Sequence, residues 1–122
     1  NGKSMATANV LVLGATFKEN VTDLRNSKAA EMSQILLESV GSLDVVDPHA
    51  SAKELKKYYG LTKTELFMND YDAVILAVNH KEFECINWQL INAITKKKPV
   101  VFDFKKQLGF PSQKLDVRYL TL

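Results

Sequence analysis

The sequence has little of several features that define particular classes of protein. A single cysteine, Cys85, excludes an intrachain disulfide, as is typical of a reducing compartment. No run approaches the roughly 20 apolar residues that span a bilayer, and residues 1–5 lack the hydrophobic core of a signal peptide. We therefore expect a cytoplasmic protein with no membrane partner. His49 and His80 are isolated, and no Cys or His pair has metal-ligand spacing, so we predict no metal site.

An excess of charge of one sign is also missing. The 16 basic and 14 acidic residues leave a net charge of +2 and are interspersed, so we expect no nucleic-acid partner, while small anionic ligands remain compatible. The 122 residues, 46% hydrophobic and 25% charged, are typical of one globular domain. Because the first residue is Asn1 and not methionine, we also expect a piece cut from a longer polypeptide.

What the sequence does contain is an alternation of apolar runs and helical patterns. The predicted strands cover residues 9–13, 43–46, 73–78 and 99–103, and the predicted helices cover 27–39, 51–59 and a segment from Trp88 that ends in the solvated lysines 96–98. The tail, 119–122, is a candidate edge strand. Because parallel strands alternate with helices, we predict a three-layer α/β/α Rossmann-like domain with a mainly parallel sheet over residues 1–122.

The segment from Gly14 to Ser27 leaves the first strand and enters the first helix, the position at which open α/β sheets hold ligands. It carries Lys18 and Arg25, and cations beside a helix start are typical of phosphate sites. The dinucleotide fingerprint G-x-G-x-x-G is absent, since the segment has one of its three glycines. Asp47, at the end of the second predicted strand, is at the position of a ribose-binding acid in dinucleotide-binding folds. Because the fingerprint is absent, we prefer the alternative that Asp47 caps a turn ahead of Pro48.

The run Gly14-Ala-Thr-Phe-Lys-Glu-Asn20 followed by Asp23-Leu-Arg-Asn-Ser27 resembles the signature that opens the C-terminal domain of the UDP-glucose/GDP-mannose dehydrogenases. Asp47-Pro48, the segment 71–78 and Phe102-Asp103 fit the same family in order. The motif looks most like the branch that oxidises UDP-N-acetylhexosamines for bacterial polysaccharides. The resemblance implies an enzyme that oxidises the C6 alcohol of a nucleotide sugar to a carboxylate with two NAD. It also implies that this chain is the UDP-binding part alone, without the NAD-binding domain or the catalytic cysteine, and that the full-length enzyme is a homodimer.

By resemblance, Phe17 and Lys18 meet the UDP moiety, Arg25 reaches toward NAD, and either Lys105 or Lys106 contacts the substrate. Each has a simpler alternative. Lys18 is then a solvated loop lysine, Phe17 a core residue, and Arg25 the internal partner of Asp23 or Glu19.

No catalytic residue is expected in this chain. Cys85 lies near His80, as a nucleophile would require, but is better interpreted as a small, partly buried hydrophobe. A different class of function stays open: a free-standing nucleotide-sensing or protein-interaction module on the same scaffold. We further expect an exposed apolar patch where the domain would pack on its neighbours.

Overall fold

A computed structural model of the chain describes residues 5–16, 18, 20, 22–65, 70–112 and 114–121. Within these ranges the strands are β1 (Asn9–Leu13), β2 (Ser42–Val46), β3 (Tyr71–Leu76), β4 (Thr95–Asp103) and β5 (Arg118–Thr121). The α-helices are α1 (Lys28–Leu37), α2 (Ala52–Tyr59) and α3 (Trp88–Ile94), and short 3-10 turns cover Met5–Thr7 and Lys81–Phe83. The strands form one sheet in the order β2-β1-β3-β4-β5, and every pair is parallel.

Alternation along the strands places a hydrophobic core on each face of this sheet. On one face Val10 and Val12 of β1 pack with Ala30 of α1 and Leu55 of α2. On the other face Leu11 and Leu13 pack with apolar residues of β3, β4 and α3, chiefly Val74, Leu76, Val101, Ile91 and Ile94. The predicted three-layer α/β/α architecture is confirmed, as is the edge strand near the C-terminus.

Local sequence signals mark the ends of α1 and α2. The Ser27 and Ser51 hydroxyls accept hydrogen bonds from Ala30 N–H and Glu54 N–H at the two N-caps. Gly60 ends α2 in the left-handed conformation at φ 69°, which lets its N–H return to the last helical carbonyls. Serine and glycine are residue types typical of these cap positions.

The interpretation of residues 95–98 as a solvated helix end was wrong. The helix stops at Ile94, and the next four residues begin β4, with Thr95 opposite Tyr71 in the parallel ladder. The Lys96 ammonium lies 3.4 Å from the Asp72 carboxylate. The register between β3 and β4 shifts after Thr95 and resumes where Val100 lies opposite Ala73. The basic run thus lies in an irregular part of β4 and not at a helix end, although the three lysines are exposed as expected.

Candidate functional site at the switch point of the sheet

The loops that follow β1, β2, β3 and β4 all emerge at the carboxyl edge of the sheet, because the strands are parallel. The chain moves outward from β1 to β2 and then crosses to the other side of β1 to form β3. The topological switch point consequently lies between β1 and β3, where sheets of this strand order hold ligands. The loop 14–27 enters this crevice from one side and residues 77–83 from the other.

Gly14 permits the close approach of these two loops. Its φ is 97°, and a Cβ atom built on it would lie 2.6 Å from Val78 Cβ and 2.8 Å from Val78 N. Neither contact is possible for an L side chain without movement of the backbone. The glycine of the signature is thus required by the close approach of Val78, in the segment that follows β3.

Asp47, at the end of β2, anchors the loop that follows β1. Its Oδ2 atom accepts hydrogen bonds from Ala15 N–H at 2.6 Å and Thr16 N–H at 3.2 Å. Its Oδ1 atom accepts from His49 N–H at 2.8 Å and Ala50 N–H at 3.1 Å. Asp47 is 1% exposed, so its oxygens serve the chain and not a ribose. The turn-capping interpretation is confirmed, and the carboxylate also holds a second loop.

The pKa of Asp47 reflects two opposing effects. Burial raises the pKa of the carboxyl, while the hydrogen bonds from His80 and from the backbone N–H groups of Ala15 and His49 lower it. The net pKa lies below its ordinary value. Asp47 is therefore a buried carboxylate kept charged by its donors.

His80 follows β3 and completes the cluster, which sequence reasoning missed. The residue is 1% exposed, and its Nε2 atom lies 2.9 Å from Asp47 Oδ2 and 3.1 Å from Thr16 Oγ1. On the other side Nδ1 accepts a hydrogen bond from Asn20 N–H at 2.9 Å. The available signal was topological: Asp47 and His80 each follow a strand adjacent to β1, and parallel strands end at one edge.

Lys18, the predicted UDP contact, has an exposed side chain between these attachment points. Its carbonyl accepts the Thr16 hydroxyl hydrogen bond at 3.0 Å, so its backbone is tied down while its ammonium faces solvent. Phe17, the other predicted contact on this loop, lies outside the described residues.

Arg25 is braced by Asp23, as one alternative interpretation required. Arg25 Nε lies 3.2 Å from Asp23 Oδ1 and Arg25 Nη2 lies 3.3 Å from Asp23 Oδ2, yet the arginine side chain is 88% exposed. The hydrogen bond from Arg25 lowers the pKa of the Asp23 carboxyl, and the same bond raises the pKa of the guanidinium. Arg25 is thus both oriented internally and accessible to a ligand.

Lys105 and Lys106, the remaining predicted contacts, lie exposed in the loop after β4. The buried Asp103 shapes this loop, since its carboxylate accepts from Gln107 N–H at 3.0 Å, Leu108 N–H at 2.8 Å and the Tyr119 hydroxyl at 2.9 Å. Both lysines therefore stand on a fixed turn at the same edge of the sheet as Lys18.

Cys85 is exposed, so its interpretation as a partly buried hydrophobe was wrong. Its Sγ atom lies 3.5 Å from the Glu82 carbonyl oxygen. In the part of the chain that the structure describes, no three His, Cys, Asp or Glu side chains are grouped as metal ligands. No helix in the described ranges is long and apolar enough to cross a bilayer.

The fold and this edge define a doubly wound α/β domain of the nucleotide-binding class, with a clamped loop in place of a glycine-rich one. The family described as "UDP-glucose/GDP-mannose dehydrogenase family, UDP binding domain" matches residues 11–109. The chain belongs to this family.

Individual relatives agree with the family match. The chain is 35% identical over 118 residues to the UDP-N-acetyl-D-glucosamine 6-dehydrogenase of Salmonella typhi, covering 96% of this chain and 27% of that protein. It is 38% identical over 112 residues to the Pseudomonas aeruginosa enzyme of the same name, covering 91% and 26%. Among solved structures, a UDP-D-ManNAc dehydrogenase from Pyrococcus horikoshii has the same fold, with a TM-score of 0.75 at 23% identity over 96% of this chain and 26% of that one. The chain thus spans about a quarter of the length of these relatives.

Proposed function

We propose that this chain is the C-terminal, substrate-binding domain of an NAD-dependent UDP-sugar 6-dehydrogenase, acting on a UDP-N-acetylhexosamine. The proposal rests on one observation: the family match over residues 11–109 includes the loop after β1, which hydrogen bonds to His80 hold at the β1/β3 switch point. The substrate class follows the names of the relatives from Salmonella typhi and Pseudomonas aeruginosa.

In this proposal the diphosphate of UDP is bound by lysines from two loops. Lys18 follows β1, and Lys105 and Lys106 follow β4, which is separated from β1 by β3 alone. Two strand spacings place the starts of these loops about 10 Å apart. Long, flexible side chains from both loops can therefore meet one anionic ligand, each as a point charge. Phe17 supplies an aromatic face beside the nucleotide.

Arg25 is the group that fits NAD in this chain. Its exposed guanidinium has N–H groups beyond the two that bind Asp23, and Arg suits contacts to phosphate oxygens. The glycine-rich fingerprint is missing from the loop after β1, so other parts of the enzyme make most of the cofactor contacts. NAD, when bound, accepts the hydride from the C6 carbon, and the residues of this chain orient the substrate.

The remaining features of the enzyme lie beyond this chain in our proposal: an N-terminal NAD-binding domain, a central helical segment with the catalytic cysteine, and a cytoplasmic homodimer. The fragment alone is then catalytically inert. An apolar cleft of about 400 Å³, bordered by Met5, Leu36, Ile75 and Phe102, supports this view, because it supplies a docking face of the expected kind.

A titration of the 122-residue chain with UDP, followed by calorimetry, tests the substrate contact. We expect saturable binding that weakens with added salt, because the contacts are ionic. Lys18→Ala should weaken binding by about tenfold, the loss of one charge-assisted hydrogen bond. Lys56→Ala, which removes an exposed lysine from the last turn of α2, is the matched control.

Unchanged affinity in Lys18→Ala would refute the placement of the diphosphate on this loop. The gene tests the wider proposal: an upstream G-x-G-x-x-G after a strand pattern, followed by a cysteine segment, is expected in the same reading frame. A stop codon shortly before Asn1 would favour the free-standing module instead.

A further inference from the structure

His80 joins the two sides of the switch-point crevice through both of its ring nitrogens. Nδ1 receives the N–H of Asn20, 60 residues away, and Nε2 faces Asp47 Oδ2, 33 residues away. The ring is buried and packs beside Phe83, with 5.5 Å between ring centroids. These contacts leave it little freedom to rotate.

The hydrogen bonds determine where the ring proton lies. A backbone N–H is always a donor, so Nδ1 must be unprotonated to accept from Asn20. The proton of the neutral ring is therefore on Nε2, and it points at the Asp47 carboxylate. Thr16 Oγ1, 3.1 Å from Nε2, already donates its own proton to the Lys18 carbonyl. The hydrogen bonds of Asn20, Thr16 and Asp47 are therefore all compatible with this one tautomer of His80.

Lys18 lies between two attachments made by this ring. On one side Thr16 is held by Asp47 and His80. On the other side Asn20 adopts the left-handed conformation, at φ 60°, and is bound twice: its N–H to His80 and its Oδ1 to Lys81 N–H at 2.7 Å. The Nδ1 acceptor thus holds Asn20, the attachment of the loop on the C-terminal side of Lys18.

We propose that His80 is a positioning residue for nucleotide binding. Its Nδ1 atom holds Asn20 so that the exposed Lys18 ammonium is presented to the diphosphate of the ligand. This role rests on the proposed function, because it assumes that Lys18 meets UDP. A positioning role of this kind depends on one acceptor atom, Nδ1. A role in core packing would depend instead on the volume of the ring.

Two substitutions separate that atom from the rest of the side chain. In His80→Asn the Oδ1 atom takes the place of Nδ1 and still accepts from Asn20, whereas the bond to Asp47 is lost. In His80→Gln the terminal amide reaches the place of Nε2 and still donates to Asp47, whereas the acceptor for Asn20 is lost. His80→Ala removes both, and His49→Ala removes the neighbouring ring, 4.5 Å away between centroids, without touching either bond.

The experiment combines calorimetric titration with UDP, hydrogen exchange of the Asn20 amide, and ¹⁵N NMR of the His80 ring. We expect an unprotonated Nδ1 and a protonated Nε2 in the wild-type chain. UDP affinity and Asn20 protection should fall by about tenfold in His80→Gln and His80→Ala, and should stay within about twofold of wild type in His80→Asn and His49→Ala.

The alternatives give different results. If His80→Gln and His80→Ala bind UDP with the affinity of the wild-type chain, the positioning role is overturned and the proposed function stands. Equal losses in His80→Asn and His80→Gln would also overturn it, because they would indicate a general structural role. A wild-type chain with the expected ring protonation but no UDP binding would refute the proposed UDP contact through Lys18, and the ligand-positioning role with it.

Discussion

Asp47→Asn is the substitution for which the structure gives the sharpest expectation. The carboxylate accepts four backbone hydrogen bonds, two on each oxygen, and Oδ2 also faces the His80 ring. An asparagine side chain has one acceptor oxygen and one NH₂ group. Whichever way the amide is turned, its NH₂ group meets two N–H donors that then have no acceptor, and at least one of the two is buried.

Each donor left unpaired costs about 1–3 kcal/mol, so two of them should lower the free energy of unfolding by about 2–6 kcal/mol. The assay is urea unfolding of the two proteins, with Asp116→Asn, an exposed carboxylate near the start of β5, as the control. A loss below about 0.5 kcal/mol, the usual effect of a surface substitution, would refute this account of Asp47.

The same pair of proteins tests the charge of Asp47 through the pH dependence of stability. The pKa of this carboxyl is lower in the folded chain than in the unfolded one, so the unfolded chain takes up the proton first on acidification. Its stabilising contribution is present above about pH 4 and is lost as the pH falls through the folded-state pKa. Asp47→Asn should lack this part of the acid dependence, and an unchanged acid limb would contradict the assignment.

Two further predictions concern the backbone contact and the second buried carboxylate. Gly14→Ala should lower the free energy of unfolding by about 2–4 kcal/mol, since the new methyl group meets Val78 and the residue has a positive φ. The control is Gly109→Ala, also at positive φ but with open space around it, which should lower the free energy of unfolding by about 1 kcal/mol. Equal losses in the two variants would count against the Val78 contact. Burial, together with the bond to Asp103, raises the pKa of Tyr119 to about 12. Stability should therefore decline from about pH 10 towards pH 12, as the unfolded chain loses the phenol proton first; a Tyr119→Phe variant with the same alkaline decline would disprove this.

Much of the architecture was predictable because it depends on local patterns. Buried parallel strands appear as short apolar runs, and Ser27, Ser51 and Gly60 mark helix ends through bonds to residues a few positions away. The prediction failed at residues 95–98, where a basic run suited a helix end but the chain enters β4, with Thr95 opposite Tyr71 and a register shift before Val100. That pairing joins residues distant in sequence and leaves no local signal.

The sequence by itself therefore determined the alternation of strands and helices, the family signature from Gly14 to Ser27, and the candidate cations Lys18, Arg25, Lys105 and Lys106. Only the tertiary structure decided what the signature is attached to. Asp47 and His80 meet the loop because parallel strands β2, β1 and β3 end at one edge of the sheet. A hydrogen bond across 60 residues depends on strand order, which no local pattern specifies.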